Sequence, residues 1–408
     1  MTEESARRAL ALCRELAEMT EEPGVLTRRF LTPPVHAVHK ALRARMEALS
    51  MAVRVDALGN LRGLWQPEAG STKRLITGSH IDTVPDAGAY DGVLGVALAL
   101  EWVEMAQKLK LPFGIEVIAF SEEEGVRFGV PFLGSRAVAG RFDDALWALQ
   151  DAEGVTVESA VRAFGLDPAR MAEAEAGGGV LGFVEVHIEQ GPVLEAEELS
   201  VAAVAGIVGQ SRLTLEFAGQ ANHAGTTPMH LRHDALAGAA EWISAVEAHA
   251  QSADGLVATV GKISATPNAG NVIAGTVQMA LDVRHAHDAA RIGAVETLLE
   301  RASAIADRRG LALETTRQLD QPAVTMDERL TAFFAEAMEG AGLPAKRMFS
   351  GAGHDAMVMA ARMPAAMLFV QSPGGISHNP AETVRTEDVE ASLEVGRRFL
   401  ERLAGEVR

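Results

Sequence analysis

The sequence has almost no cysteine: Cys13 is the single one among 408 residues. An intrachain disulfide is therefore impossible, and a metal site built from several thiolates is excluded. The chain also lacks an apolar run of the ~18 residues that a membrane-spanning helix needs. Its N-terminus lacks the basic stretch and apolar run of a signal peptide. We therefore expect a soluble cytoplasmic protein in which Cys13 is a small core residue.

An excess of positive charge is also missing. The 37 lysines and arginines are outnumbered by 55 acidic residues, which gives a net charge of −18. Nucleic acids and anionic membranes attract basic surfaces, so neither is an expected partner. A small anionic substrate would need a local arginine to hold it against this negative field.

The length of the chain exceeds that of one ordinary domain and predicts two or three. Hydrophobic residues make up 48% of the sequence, which is enough for a large core and argues against disorder. We find no internal repeat.

Strand-like and helix-like segments alternate in the first half of the chain. Arg74–Gly78, Gly114–Phe120, Gly182–His187 and 201–208 have the pattern of strands, whereas Val93–Leu109 has helical periodicity. This alternation predicts the α/β class with a doubly wound, mixed sheet. Ligands of such sheets bind just beyond the carboxyl ends of the strands.

The pattern changes between residues 209 and 325. The predicted elements there are a strand at Arg212–Ala218, a helix at Asp234–Ala250, strands at Leu256–Ser264 and Val272–Arg284, a helix at Ala289–Arg309 and a strand at Leu311–Arg317. The order βαββαβ predicts a ferredoxin-like α+β domain. The α/β pattern then resumes. We therefore predict a discontinuous α/β domain of residues 1–208 and 326–408, interrupted by a smaller domain of residues 209–325.

Histidines and carboxylates follow several of the predicted strands. The candidate metal ligands are His80, Asp91, Glu124, His187 and His378. This hard and borderline set favours Zn, Mn or Co. Two ions about 3.5 Å apart share an anion, and Asp91 is the candidate for it. The alternative for Asp91, which precedes a predicted helix, is an N-cap.

Further carboxylates lie beside these candidates. His80 and Asp82 project from the same face of an extended segment, so Asp82 is predicted to orient His80 by a hydrogen bond. Glu122, Glu123 and Glu124 follow a buried strand, where adjacent carboxylates are costly unless cations neutralise them. One can bind metal while its neighbour acts as a general base. The alternatives are a polar loop and a solvated acidic turn.

The inserted segment carries polar clusters that a spacer does not need. His223 is a candidate donor to the oxyanion that develops at a carbonyl. Asn271 and Arg284 lie near the two ends of one predicted strand, and the guanidinium fork suits a substrate carboxylate. The alternatives are a capping histidine and a surface arginine. If these donors serve the metal site, closure of the insert over it would complete the site.

With these motifs the chain resembles the hydantoinase/carbamoylase branch of the M20 metallopeptidase-like amidase superfamily, which includes N-carbamoyl-L-amino-acid hydrolases, allantoate amidohydrolases and β-ureidopropionases. The resemblance covers nearly the whole chain. It rests on six motifs in the same order, namely GSHIDTVPDAGAYDGVLG, EEEGVRF, HIEQGPVLE, NHAGTTPM, GAGHDAM and GISHNPAE.

The resemblance implies two divalent ions per subunit, with Asp91 shared between them. The remaining ligands form two pairs, His80 with His187 and Glu124 with His378. Glu123 would be the general base, although Glu122 allows this assignment to shift by one residue. The positions that match substrate-binding residues are Gln210, His223, Asn271, Arg284, Gly353 and His354. In the family the counterpart of His223 reaches the neighbouring subunit's site, so a homodimer built on the insert is implied.

The implied reaction is hydrolysis of a ureido C–N bond, with ammonia, CO2 and an amine as products. Allantoate, N-carbamoyl-L-amino acids and β-ureido acids all carry a ureido group and a carboxylate, so the sequence leaves the substrate open. The metal stays open among Zn, Mn and Co. Two rivals are an aminoacylase or dipeptidase of the same superfamily and a non-catalytic metal- or ligand-binding protein. Glu123 argues against the binding protein, because a binder needs no base.

Overall fold

The computed structural model describes residues 2–68 and 70–407. Its helices are α1 (Thr2–Ala17), α2 (Pro33–Ala48), α3 (Val93–Leu109), α4 (Leu133–Val138), α5 (Val157–Ala163), α6 (Val193–Ala196), α7 (Ala235–Ser252), α8 (Asp288–Arg309), α9 (Glu328–Gly340), α10 (Asp355–Met359) and α11 (Thr386–Val407). Its strands are β1 (Ala52–Val55), β2 (Leu61–Trp65), β3 (Arg74–His80), β4 (Gly114–Phe120), β5 (Val180–Ile188), β6 (Val201–Ile207), β7 (Gly209–Ala218), β8 (Asn222–His223), β9 (Val257–Thr266), β10 (Val272–Ile273), β11 (Thr276–His285), β12 (Ala312–Gln321), β13 (Val324–Thr325), β14 (Arg347–Ser350) and β15 (Ala365–Val370). Within the described ranges, no helix combines the length and the apolar character that crossing a membrane requires.

The chain divides into two compact units. One comprises Met1–Ala205 with Met326–Arg408, and the other is Gly206–Thr325. The sequence predicts that the insert begins at residue 209, whereas the smaller unit begins at Gly206, three residues earlier. The reason is that Gly206 and Ile207 pair with Thr325 and Val324, so the two connecting segments belong to the same unit.

The larger of the two main sheets is mixed, and the predicted α/β class is confirmed. Its strand order is β1-β2-β4-β3-β5-β15-β6-β13, with β14 beside β6. The central pairs β3–β4, β3–β5 and β15–β5 are parallel, whereas β1–β2, β2–β4 and β15–β6 are antiparallel. All residues of β4 and β15 are buried, as continuous apolar runs in a sheet covered on both faces should be.

The parallel strands bring separate parts of the sequence to one edge of this sheet. His80 ends β3 opposite Phe120, the last residue of β4. His187 lies near the end of β5, opposite Phe369 of β15. Since the carboxyl ends of parallel neighbours meet at one edge, the residues that follow these strands surround a common space.

The smaller unit has the predicted ferredoxin-like fold. Its four-stranded antiparallel sheet has the order β12-β7-β11-β9. The helices α7 and α8 bury one face of it, and the indole of Trp242 in α7 donates a hydrogen bond to the carbonyl of Leu298 in α8.

The prediction of one strand over Val272–Arg284 is wrong. The segment is broken into β10 and β11, because Val272 pairs with His223 of β8 instead of continuing in the main sheet. The backbone of Gly275 lies at the break, where its N–H donates to Thr266. The consequence is that Asn271 is adjacent to His223.

A buried histidine in α2 couples stability to pH. His39 packs edge-on against the ring of Phe164, with 5.7 Å between ring centroids, and its Nε2 has no hydrogen-bond partner. Burial, assisted by the positive charges of His36 and Arg43, lowers the pKa of His39 to about 4. Below pH ~6.5 the unfolded chain therefore binds a proton at His39, whereas the folded chain does not. The free energy of unfolding consequently falls as the pH is lowered from 6.5 to 4.

We expect His39→Leu to remove this pH dependence. Between pH 7 and pH 4 the wild type should lose about 3 kcal/mol more unfolding free energy than the variant. Urea unfolding at the two pH values measures this difference, with His230→Leu as the control because His230 is exposed. Equal losses in wild type and His39→Leu would contradict the assignment.

Candidate metal centre

The five predicted metal ligands converge on the carboxylate of Asp91. Its Oδ1 lies 3.4 Å from Nε2 of His80 and 3.2 Å from Nε2 of His187. Its Oδ2 lies 3.3 Å from Nε2 of His378, which is 3.7 Å from Oε1 of Glu124. Each oxygen of Asp91 thus faces a different pair of ligands. This is the arrangement that a carboxylate bridging two cations requires.

The backbone before α3 allows this approach. The N-cap of α3 is Gly92, with φ 67°, and no side chain caps the helix. The alternative interpretation of Asp91 as an N-cap is therefore wrong. A Cβ on Gly92 would lie 2.4 Å from Nε2 of His80, so glycine is required for the imidazole to fit against the loop.

The hydrogen bonds of two imidazoles leave lone pairs facing Asp91. Nδ1 of His80 donates to the carbonyl of Asp82 at 3.0 Å, and Nδ1 of His187 donates to the carbonyl of Ile188 at 2.9 Å. In the neutral form each ring has its one N–H on Nδ1, so Nε2 presents a lone pair to Asp91. Burial alone would lower the pKa of both rings, but their contacts with Asp91 raise it, so Nε2 faces a position that favours positive charge. Nitrogen lone pairs that face a carboxylate repel it unless a proton or a cation lies between them, and a divalent cation fits this donor set.

Asp82 contacts His80 through both its backbone and its side chain. Its carbonyl accepts the hydrogen bond from Nδ1 of His80 at 3.0 Å, and its Oδ1 lies 3.4 Å from the same nitrogen. Its carboxylate accepts the N–H groups of Glu123 at 3.0 Å and Glu124 at 3.1 Å. Asp82 therefore orients a histidine and fixes the glutamate turn at the same time.

The three adjacent glutamates have different environments. Glu122 turns back to accept the N–H of Gly125. Carboxylate oxygens of Glu123 and Glu124 lie within 4.8 Å of a ring nitrogen of His80. The geometry therefore favours Glu123 and Glu124 as the pair that faces the ligands, without a shift by one residue.

The site has an excess of buried negative charge. Burial raises the pKa of Glu122 and of Glu123 well above the usual range, and for Glu123 the neighbouring Glu124 and Asp355 add to the effect. Burial also raises the pKa of Glu124 to about 7. A bound divalent cation would reverse these shifts, so the charge of the site fits a metal.

A second group of possible ligands is less suitable. Glu185, His187 and His354 also lie close together. However, both oxygens of Glu185 already accept hydrogen bonds, from the hydroxyl of Ser79 at 2.7 Å and from the N–H of Ala356 at 2.8 Å. We therefore take the groups centred on Asp91 as the candidate metal centre.

The loop that carries His354 lies beside these ligands. The ring of His354 is 4.4 Å from that of His187, and its Nε2 is 2.9 Å from the hydroxyl of Ser350. Burial lowers the pKa of His354 well below its usual range, so the ring is neutral. Gly353 leaves room for Phe132, whose ring would lie 2.9 Å from an added Cβ.

Two polar side chains at the site were not predicted from the sequence. Gln190 and the hydroxyl of Ser377 each donate to Oδ2 of Asp91 at 2.8 Å. Gln190 and His378 have φ angles of 58° and 54°, a left-handed conformation that is strained for such residues and is common at functional sites. Gln190 and Ser377 lie within the motifs HIEQGPVLE and GISHNPAE. Nothing in the spacing of these motifs marks the two side chains as partners of Asp91.

The candidates in the insert form two separate pairs. Gln210 and Arg284 are opposite each other on β7 and β11, and both donate to Asp282. Burial alone would raise the pKa of Asp282, but hydrogen bonds from Arg284 and Arg212 lower it. The guanidinium of Arg284 is thus held in a charged pair at this position.

The second pair is His223 with Asn271. The carbonyl of Asn271 accepts the N–H of Ala224 at 3.0 Å. Nδ1 of the exposed His223 accepts the N–H of Gly225 at 3.1 Å, so in the neutral ring the proton is on Nε2. His223 therefore presents an N–H donor to solvent.

Known proteins are similar over nearly the whole chain. The model of peptidase family M20/M25/M40 matches residues 76–405. An allantoate deiminase from Arabidopsis thaliana is 38% identical over 423 residues, covering 94% of this chain and 80% of the relative. An N-carbamoyl-L-amino-acid amidohydrolase from Paenarthrobacter aurescens is 36% identical and covers 96% of each.

Solved structures of other proteins are also similar to this chain. A crystal structure of a hydantoinase/carbamoylase family amidase from Burkholderia multivorans has a TM-score of 0.92 and 31% identity, and covers 98% of each chain. The family and the converging histidines and carboxylates indicate that the protein uses divalent metal. The resemblance seen in the sequence is confirmed: the chain belongs to peptidase family M20/M25/M40, in its hydantoinase/carbamoylase branch.

Proposed function

We propose that this protein is a dinuclear-metal amidohydrolase that cleaves the ureido C–N bond of allantoate or N-carbamoyl-L-amino acids and releases ammonia and CO2. The observation that carries the proposal is the carboxylate of Asp91, whose two oxygens face different ligand pairs. The ureido class of substrate is supported by the names of the relatives, an allantoate deiminase and an N-carbamoyl-L-amino-acid amidohydrolase.

The proposed ligands divide between two ions. Asp91 would hold both ions, His80 and His187 would complete the ligands of one, and Glu124 and His378 would complete those of the other. When bound, the ions would supply the Lewis acidity that activates a water and polarises a carbonyl. The hydrogen bonds from Nδ1 of His80 and His187 to backbone carbonyls hold both rings in the ligating orientation.

Glu123 is the proposed general base. It takes a proton from the attacking water and delivers it to the leaving nitrogen. Its backbone is fixed by the hydrogen bond from its N–H to Asp82. This restraint supports the role, since proton transfer needs a carboxylate in a defined position next to the reacting atoms.

The insert supplies the proposed substrate contacts. His223 would stabilise the tetrahedral oxyanion through the N–H of Nε2, and Arg284 would bind the substrate carboxylate. Gln210 and Asn271 are the neighbours of these two residues and are proposed to assist them. Gly353 and His354 of the larger unit are proposed to line the site.

The proposed assembly is a homodimer through the insert. The strand β9 lies at an edge of the insert's sheet. It exposes two apolar side chains, Val257 at 58% and Ile263 at 49%. Exposed apolar edge strands tend to pair with another chain, which supports this surface as the contact between subunits.

The test is the release of ammonia by purified protein loaded with Mn²⁺ or Zn²⁺. We expect turnover of allantoate or of N-carbamoyl-L-amino acids, assayed side by side. A preference above about tenfold in kcat/KM for one class identifies the substrate, since a single pocket contact produces a difference of this size. N-acetyl-L-amino acids and dipeptides are the controls. Turnover of these alone would replace the proposal with an aminoacylase or dipeptidase.

A further inference from the structure

A carboxylate without a part in the proposed chemistry contacts the backbone of Asp91. Glu382 is buried, with 6% of its surface exposed. Its Oε1 accepts the N–H of Tyr90 at 2.8 Å and the N–H of Asp91 at 3.0 Å. One oxygen of Glu382 thus satisfies two successive backbone donors in the loop before α3.

The other oxygen of Glu382 contacts the side chain of Ser377. The Ser377 hydroxyl lies 3.2 Å from Oε2 of Glu382 and 2.8 Å from Oδ2 of Asp91. A hydroxyl has one proton, which the two carboxylates share, with Asp91 as the nearer acceptor. Glu382 therefore holds the backbone of Asp91 directly and reaches its carboxylate only through the shared hydroxyl of Ser377.

These contacts join two distant parts of the sequence. Glu382 and Ser377 lie on the segment that carries His378, whereas Asp91 lies 291 positions from Glu382. The packing is tight, because a Cβ on Gly88 would lie 2.3 Å from Cβ of Glu382. The loop of residues 88–92 and the segment of residues 377–382 therefore pack closely against each other around the side chain of Glu382.

We propose that Glu382 is a positioning residue that keeps Asp91 and His378 in the relative placement in which both oxygens of Asp91 meet metal ligands. This inference rests on the proposed dinuclear function. The hydrogen bonds, rather than the negative charge, carry the effect. An amide oxygen would accept the same two N–H groups, and an amide NH2 would donate to Ser377, which then donates to Asp91.

The test is the affinity of the metal-free, full-length protein for Zn²⁺, measured by competition with a chromophoric chelator. Glu382→Ala leaves the N–H groups of Tyr90 and Asp91 unpaired, and we expect Zn²⁺ to bind about 10- to 100-fold more weakly. Glu382→Gln should bind within about threefold of wild type, a smaller change than the loss expected for Glu382→Ala. Ser377→Ala, a smaller change, should lose about tenfold and serves if Glu382→Ala does not fold.

Asp327→Ala is the matched control. Asp327 accepts the N–H of Leu330 at the start of α9 and lies outside the ligand segments, so its loss should leave Zn²⁺ affinity unchanged. The inference is overturned by wild-type affinity in Glu382→Ala, by equal losses in Glu382→Ala and Glu382→Gln, or by an equal loss in Asp327→Ala. Failure of the wild type to bind Zn²⁺ would instead contradict the proposed function.

Discussion

Replacement of Glu123 by glutamine will lower kcat by about 10²- to 10⁴-fold. Glutamine keeps the size of the side chain, and the backbone N–H at this position still donates to Asp82. The variant cannot take a proton from water, so the step that needs a base fails. Metal content and KM should stay close to the wild-type values, because Glu123 is not a proposed ligand.

The measurement is steady-state ammonia release together with elemental analysis of the purified variant. Glu122→Gln is the matched control, since Glu122 is an adjacent buried glutamate whose Oε1 accepts a backbone N–H from Gly125. An amide oxygen can accept that bond, so the control should keep most of its activity. Near-normal turnover of a fully metal-loaded Glu123→Gln would contradict the mechanism. Inactivity of Glu122→Gln alone would show that the base is one residue earlier.

Removal of the metal will abolish activity and destabilise the fold. The metal-free site holds buried carboxylates whose pKa values are raised by burial, and cations relieve this repulsion. A ligand that binds only the native state adds about 4 kcal/mol to the free energy of unfolding when its concentration is a thousandfold above its Kd. The unfolding temperature should therefore rise continuously with the logarithm of Zn²⁺ concentration.

Thermal unfolding of chelator-treated protein, titrated with Zn²⁺, measures this stabilisation. Asp91→Asn is the informative comparison, because the amide NH2 replaces one of the two oxygens that face separate ligand pairs. We expect a much smaller rise in unfolding temperature for this variant. An unfolding temperature independent of Zn²⁺ in the wild type would show that these residues do not form a metal site.

The sequence predicts that the candidate ligands come together because several of them lie at or just after strand ends. His80 and His187 follow apolar runs whose helical connections require parallel pairing, and parallel strands bring their carboxyl ends together. The bounds of α3 and β4 are the predicted ones. In these elements the local pattern and the tertiary structure favour the same conformation.

Features that depend on contacts between distant residues were missed. The break between β10 and β11 arises from pairing of Val272 with His223, which no local pattern specifies. Glu382 acts on backbone N–H groups 291 positions away, and a backbone donor leaves no signature in the sequence. The orienting bond of His80 goes to a carbonyl of Asp82, which residue identity cannot reveal.

The number of ions that one chain binds tests the dinuclear centre most directly. Metal-free protein should be dialysed to equilibrium against increasing Zn²⁺, and bound metal and ammonia release measured at each point. We predict saturation at two ions per chain, with full activity only when both are bound. Saturation at a single ion with full activity would contradict the bridging role of Asp91 and the dinuclear mechanism built on it.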